Sequence, residues 1–273
     1  MKLEKIPASV GILTLNSTDR LTECIRSVKA FDDVYICDGN STDGTQDLAK
    51  SLGTRVTKQF DNELPNQRIT HFAEACNRAM SFAKHKWYLR LDTDERMSEE
   101  VVEEIRKVVA DPDQTVRVWK IPRAYLWRGT VIEHAMTYPN NQIRFYHRDA
   151  VPKWVKISHE KPIVKEGENI GLLQNPMLVW VADTYEEWDK SRFKRAMTWD
   201  RLHFEATMTP RAWAWALVHS LAFMLRFGWR LLRIQLFARG TKLPISYELW
   251  RFKYLIAANV LATRIMLKKL FSS

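Results

Sequence analysis

Apolar runs and amphipathic segments alternate through the first hundred residues, and that alternation restricts the chain to few folds. Val10-Gly11-Ile12-Leu13-Thr14-Leu15 is a continuous β-type run, the pattern of a strand buried on both faces. Thr18 or Asp19 can cap a helix over Arg20 to Ala30, with Leu21, Ile25 and Val28 on one stripe. Val34 to Cys37 reads as a second strand. A turn cluster from Asp38 to Thr45 then leads into a helix ending at Leu52, and Arg55 to Gln59 reads as a third strand. A helix from about His71 to Lys84, a strand from Trp87 to Leu91, and a helix capped by Ser98 follow. This order predicts an α/β fold with a mostly parallel sheet and crossover helices. From Val116 to about Val181 shorter strands and five prolines predict a mixed, partly antiparallel second half, and after Asp183 the pattern turns helical.

Ligands bind such sheets outside the carboxyl ends of the strands. Asn16, Asp38, Asp92 and Asp94 all fall just past predicted strand ends. Asp92-Thr93-Asp94 sets two carboxylates one residue apart, where both can face a hard cation such as Mg²⁺ or Mn²⁺ that also takes phosphate oxygens. The plainer alternative is that Asp92 caps a turn and Asp94 and Glu95 open the next helix at its positive end. Asp38 can accept from a base N–H or a ribose hydroxyl, whereas Ser41 and Asp43 read as turn and cap residues.

Charge divides the chain more sharply than any linker. From Arg211 to Ser273 there are eleven Lys/Arg and one acid, Glu248, while the remainder has equal numbers of basic and acidic residues, so the net +10 belongs to the tail. Two regions are expected: a charge-neutral α/β domain over 1–205 and a basic, Trp-rich amphipathic helical region over 206–273. Ala212 to Leu225 is a mainly apolar run of fourteen residues, short of the roughly twenty that cross a bilayer. Arg226, Arg230 and Arg233 then share one stripe and Leu225, Trp229, Leu232 and Leu236 another. A second helix, Tyr247 to Phe271, repeats the mixture. Tryptophan with arginine on amphipathic helices suits an anionic membrane surface. Core packing alone leaves the charge unexplained, and no recognition motif accompanies it that would point to nucleic acid. Cys24, Cys37 and Cys76 form neither a disulfide framework nor a zinc pattern. With no signal-peptide pattern at the start, the expected location is cytoplasmic, peripheral on the inner face of the cytoplasmic membrane.

Val10 to Asn16, Asp38 to Thr45 and Leu91-Asp92-Thr93-Asp94-Glu95-Arg96 resemble the three signature segments of family 2 glycosyltransferases with the GT-A fold. Tyr138 to Tyr146 and Ser158-His159-Glu160 are similar to a narrower branch that includes bacterial lipopolysaccharide-core glucosyltransferases. The resemblance spans roughly Val10 to Arg201. It implies a Rossmann-like, mostly parallel sheet flanked by helices, with the amphipathic helices as a C-terminal extension. Thr14, Asn16, Asp38, Asn77 and Asp92 would then serve the nucleotide-sugar donor, and Asp94 with Asp92 the divalent cation. Glu160 would be the general base for an acceptor hydroxyl, with His159 close to the metal or diphosphate. One carboxylate base and direct displacement imply inversion at the anomeric carbon. The implied activity moves a hexose from a nucleotide diphosphate sugar, UDP-linked, to a hydroxyl of a lipid-linked glycan such as lipopolysaccharide core.

Two departures stand out. Glu74-Ala75-Cys76-Asn77 replaces the branch's Glu-Gln-(Lys/Arg)-Asn, and Asn175-Pro176-Met177-Leu178-Val179 leads to Trp180 where the branch has a histidine. The rival readings are a polyprenyl-phosphate sugar synthase, which needs no base, and a non-catalytic sugar-binding membrane scaffold. A nucleotidyltransferase would need a Gly-rich basic phosphate loop after the first strand, which is not there.

Overall fold

The structure of the protein, a computed structural model, describes residues 4–156 and 160–271. The first half alternates as expected: β1 (Ile6–Thr14), α1 (Thr18–Ser27), β2 (Phe31–Asp38), α2 (Thr45–Ser51), β3 (Arg55–Lys58), α3 (Phe72–Ser81), β4 (Trp87–Asp92), β5 (Glu95–Met97) and α4 (Glu99–Ala110). Short strands follow: β6 (Val118–Ile121), β7 (Arg123–Trp127), β8 (Thr130–Ile132), β9 (Gln142–His147), β10 (Lys153–Val155), β11 (Lys161–Ile163), β12 (Ile170–Leu172) and β13 (Met177–Val181). Three long helices close the chain: α5 (Tyr185–Thr207), α6 (Pro210–Phe237) and α7 (Ile245–Phe271).

The central sheet has the order β12-β6-β9-β4-β1-β2-β3. β4, β1, β2 and β3 run parallel, and β9 enters antiparallel between β4 and β6. The α/β class with a mostly parallel sheet, flanking helices and a helical C-terminal extension is therefore what the chain adopts. β1 is central and all but one of its residues are buried, which is why its sequence reads as an unbroken apolar run. Leu21 and Ile25 of α1 and Val101, Ile105 and Val108 of α4 pack against it in one core. Cys37, Ala79, Met80, Tyr88 and Tyr146 belong to a second core.

Local boundaries differ from the sequence reading where side chains choose other partners. Ser17, not Thr18 or Asp19, stands at the start of α1, and it makes no side-chain cap. Asp43 takes the Thr18 hydroxyl instead. α1 stops at Ser27, whose hydroxyl bonds back to the Cys24 carbonyl, so Ala30 lies beyond it. His71 does not begin α3 but caps it, its Nδ1 accepting from the Glu74 N–H. Ser98 caps α4 as expected, accepting from the Val101 N–H at 3.3 Å.

The chain forms two compact units. One runs to Ala124 and takes up again from Pro139 to Trp180; the other comprises Tyr125–Tyr138 and everything from Val181 onward. The expected boundary at residue 205 falls inside α5. In the second unit, Trp188, Tyr247 and Trp250 make an aromatic cluster. Glu248 is buried and accepts the Met136 N–H, and burial raises its pKa. α6 packs one face on α7, with Trp213 donating to Thr263. Its other face exposes Trp215, Val218, Leu221, Leu225, Trp229, Leu232 and Leu236.

Gly11 sits in mid-β1 where a Cβ would run into the Tyr88 hydroxyl. Gly11→Ala is expected to cost about 1–3 kcal/mol by overpacking, read as a lowered midpoint in urea unfolding with an unchanged slope.

Candidate active site at the carboxyl edge of the sheet

The ends of β1 and β2 are joined by their side chains. Asp38, at the last position of β2, is 1% exposed. Its Oδ2 accepts from the Thr14 and Ser41 hydroxyls, both at 2.7 Å. Its Oδ1 accepts from the Ser41 N–H and the Gln46 amide, both at 2.8 Å. Asn16 adopts a left-handed backbone (φ 47°); its N–H donates to the Ser41 hydroxyl and its Oδ1 accepts from the Thr42 N–H. Asp43 takes the Thr45 N–H at the start of α2 together with the Thr18 hydroxyl. The two loops are thus one hydrogen-bonded surface, with Asn16 exposed on it and Asp38 beneath. Beside this edge lies a cavity of about 320 Å³ lined by Gln59, Ile69, His71, Glu74 and Arg78 among others. Both amide atoms of buried Gln59 lack a hydrogen bond among the described residues.

Three arginines and three carboxylates alternate at the end of β4. Arg90, 3% exposed, gives one Nη to Asp92 Oδ1 and the other to Glu160 Oε1, each at 3.1 Å. Arg144 of β9 reaches Asp92 Oδ2 at 3.1 Å and Glu95 Oε1 at 2.7 Å. Arg123 adds a bond to the same Glu95 oxygen at 2.9 Å. The other Glu95 oxygen accepts the Asp92 N–H.

Burial works against ionisation of Asp92, but Arg90, Arg144 and Arg123 outweigh it and hold its pKa down to about 2. Asp92 therefore stabilises the fold above the ordinary aspartate range, and that contribution is lost as the pH falls through about 2. Burial raises Glu95 above its usual value despite Arg144 and Arg123, because its side chain is fully enclosed. Arg90 stays charged: burial opposes it, yet Asp92 and Glu160 hold its pKa above the usual value.

The structure thus gathers Thr14, Asn16, Asp38, Asp92, Asp94 and Glu160 along one edge of the first unit. Asp94 is half-buried, and its carbonyl accepts the Trp180 N–H at 2.7 Å. The Trp180 ring, at the position where the branch has a histidine, carries the Arg20 guanidinium at 4.0 Å. Asn77 is used differently: its amide pairs with both backbone groups of Trp154, donating at 3.0 Å and accepting at 2.7 Å. His159 lies outside the described residues. Sequence reasoning missed Arg90, Arg144, Arg123 and Gln59. Arg90 in the apolar run Trp87 to Leu91 was the available signal, since a charge inside a buried strand needs a partner.

Among the described residues no three His, Cys, Asp or Glu side chains converge on a metal-sized space. A hard cation held by one or two carboxylates, with phosphate oxygens and water completing its shell, does not require three. An ionised Asp92 that is one-third exposed, next to a half-buried Asp94, fits that donor set.

The profile described as Glycosyl transferase family 2 matches residues 9–160, a segment that holds every one of these strand-end residues. An uncharacterized glycosyltransferase of Rickettsia typhi is 31% identical over 142 residues, 51% of this chain and 46% of that protein. The lipopolysaccharide core biosynthesis glycosyltransferase LpsC of Rhizobium meliloti is 26% identical over 121 residues, 44% of this chain and 43% of LpsC. The chain spans about half the length of these curated relatives. Among solved structures it is similar to TarS of S. aureus, with a TM-score of 0.47 at 17% identity over 66% of this chain and 38% of TarS.

Arg144→Met would leave Glu95 buried with one partner fewer. It is expected to destabilise the protein by about 3–5 kcal/mol, whereas Arg26→Met, at an exposed pair, should stay within about 1 kcal/mol in the same chemical unfolding series.

Proposed function

Because the chain belongs to glycosyltransferase family 2, we propose that it is an inverting, metal-dependent hexosyltransferase. Its donor is a nucleotide diphosphate sugar, UDP-linked, and its acceptor a hydroxyl of a membrane-anchored glycan. The observation that carries this reading is the pairing of Asp92 and Glu160 through one buried guanidinium, each at 3.1 Å. That pairing sets a candidate base beside a donor-side carboxylate.

In this reading the acceptor hydroxyl gives its proton to Glu160 as its oxygen bonds to the anomeric carbon. The sugar–phosphate bond breaks on the opposite face, and its electron pair leaves with the diphosphate. Asp94, with Asp92 alongside, would hold Mg²⁺ or Mn²⁺, which when bound neutralises charge on the leaving diphosphate. Asn16 would meet the nucleoside, and Asp38 with Thr14 would hold the loops that carry it. The cavity at Gln59 offers amide groups to the base. Asn77 acts only through Trp154, and His159 would stand by the diphosphate. The function divides between the 1–205 domain for chemistry and 206–273 for attachment.

The acceptor class is supported by the similarity to LpsC, a lipopolysaccharide core biosynthesis glycosyltransferase, and by the outer face of α6. Leu225 and Trp229 are 68% and 63% exposed there, with Arg226, Arg230 and Arg233 on its flank. A long apolar strip on a cationic helix suits an anionic leaflet, entered from the side rather than crossed. No helix among the described residues is long and apolar enough to cross a membrane. The enzyme would thus work peripherally at the inner face of the cytoplasmic membrane.

Two experiments test the reading. UDP-hexoses with Mn²⁺ should raise the melting temperature. Asp94→Ala should abolish the Mn²⁺-dependent part of that shift, and Glu160→Gln should keep the shift but lower transfer by on the order of 10²-fold or more. Near-normal transfer by Glu160→Gln would favour a phosphate acceptor, as in a polyprenyl-phosphate sugar synthase. Co-sedimentation with anionic vesicles should weaken roughly a hundredfold in an R226Q/R230Q/R233Q variant, at about 1 kcal/mol per arginine. Equal binding to zwitterionic vesicles would sink the electrostatic part.

A further inference from the structure

Arg90 is unusual in facing two carboxylates with different tasks. It sits in β4, a strand whose other interior residues are apolar, and is enclosed by both its ion pairs and the Trp154 ring, 5.3 Å from the guanidinium carbon. Trp154 is itself fixed: its indole N–H donates to the Tyr146 hydroxyl at 2.8 Å, and its backbone is pinned by Asn77. The Trp154 ring thus closes one side of the fork.

A guanidinium is planar, with its two Nη atoms at a fixed spacing. Two carboxylates bonded to separate Nη atoms are therefore held at a set separation, whatever their own backbones allow. Asp92 has a second anchor in Arg144. Glu160 has none among the described residues, so Arg90 alone fixes it there. Glu160 Oε2 carries no hydrogen bond among the described residues, which leaves it open to an acceptor hydroxyl.

We propose that Arg90 is a positioning residue that registers the Glu160 carboxylate against the donor-side Asp92. This rests on the reading of Glu160 as the base. Loss of Arg90 should leave the donor end largely in place, because Arg144 still holds Asp92. The base would then wander, and misplacement by about 1 Å costs on the order of 10²-fold in rate.

The test is a double-mutant cycle on the full chain with Arg90→Gln, Glu160→Gln and both. kcat and donor KM are measured at saturating acceptor, and donor affinity separately by thermal shift with Mn²⁺. Arg90→Gln should lower kcat about 10- to 100-fold with donor KM and the donor-induced shift changed less than about threefold. The double variant should turn over within about threefold of Glu160→Gln alone, since a residue acting through another adds no further loss. Arg90→Lys keeps the buried charge but not the fork, and it runs the same cycle if Arg90→Gln does not fold. Its kcat should also fall, because one ammonium cannot bridge both carboxylates. Losses that multiply in the double variant, full activity in Arg90→Lys, or a kcat unchanged in Arg90→Gln would each overturn the proposal. A Glu160→Gln enzyme with normal turnover overturns the base assignment first, and the role of Arg90 with it.

Discussion

The carboxyl edge of the sheet depends on compensation of charge where water cannot reach. Glu95 and Arg144 are enclosed, and each is tolerable because it is paired, the two with each other at 2.7 Å, Glu95 also with Arg123 and Arg144 also with Asp92. From this pair the alternation spreads outward, through Asp92 to Arg90 and then to Glu160, and by Arg123 on the other side. Three positive and three negative groups leave no net charge inside. Asp94, half-buried and two residues beyond Asp92, stands beside this alternation at the same strand end.

That arrangement explains how one strand end can serve two purposes. Buried ion pairs contribute little net stability compared with an apolar core of the same volume. They do define where each carboxylate sits, which catalysis by position requires. The β1 and β2 loops reach the same end with neutral groups: Asp38 spends its oxygens on Thr14, Ser41 and Gln46 and so holds the exposed Asn16 surface in one shape.

The fold was legible because burial on both faces writes an uninterrupted apolar run, as in β1, and because amphipathic stripes such as Leu21, Ile25 and Val28 mark crossover helices. Ser98 was read correctly from its place before an apolar-periodic segment. The start of α1 was not: Thr18 and Asp19 were the candidates, whereas Ser17 takes the position and the Thr18 hydroxyl is drawn off by a tertiary bond to Asp43. At the site, acids at strand ends were visible while the arginines were not. A carboxylate announces itself by local position. Arg144 and Arg123 acquire meaning only when β9 and β7 arrive from later in the chain, beyond the reach of any local pattern. Asn77 shows the opposite limit: the family resemblance implied a donor contact, and its amide pairs instead with the backbone groups of Trp154.

That use of Asn77 has a mechanical consequence. By offering one donor and one acceptor to the backbone of Trp154, α3 stands in for a missing strand neighbour along β10. The hairpin of β10 and β11 then has a stiff root on a helix rather than on the sheet, and Glu160 precedes β11 directly. Aspartate would lose the donor there and leucine both groups, so a half-hidden amide far from any strand end works as the hinge pin of the arm that bears the acid.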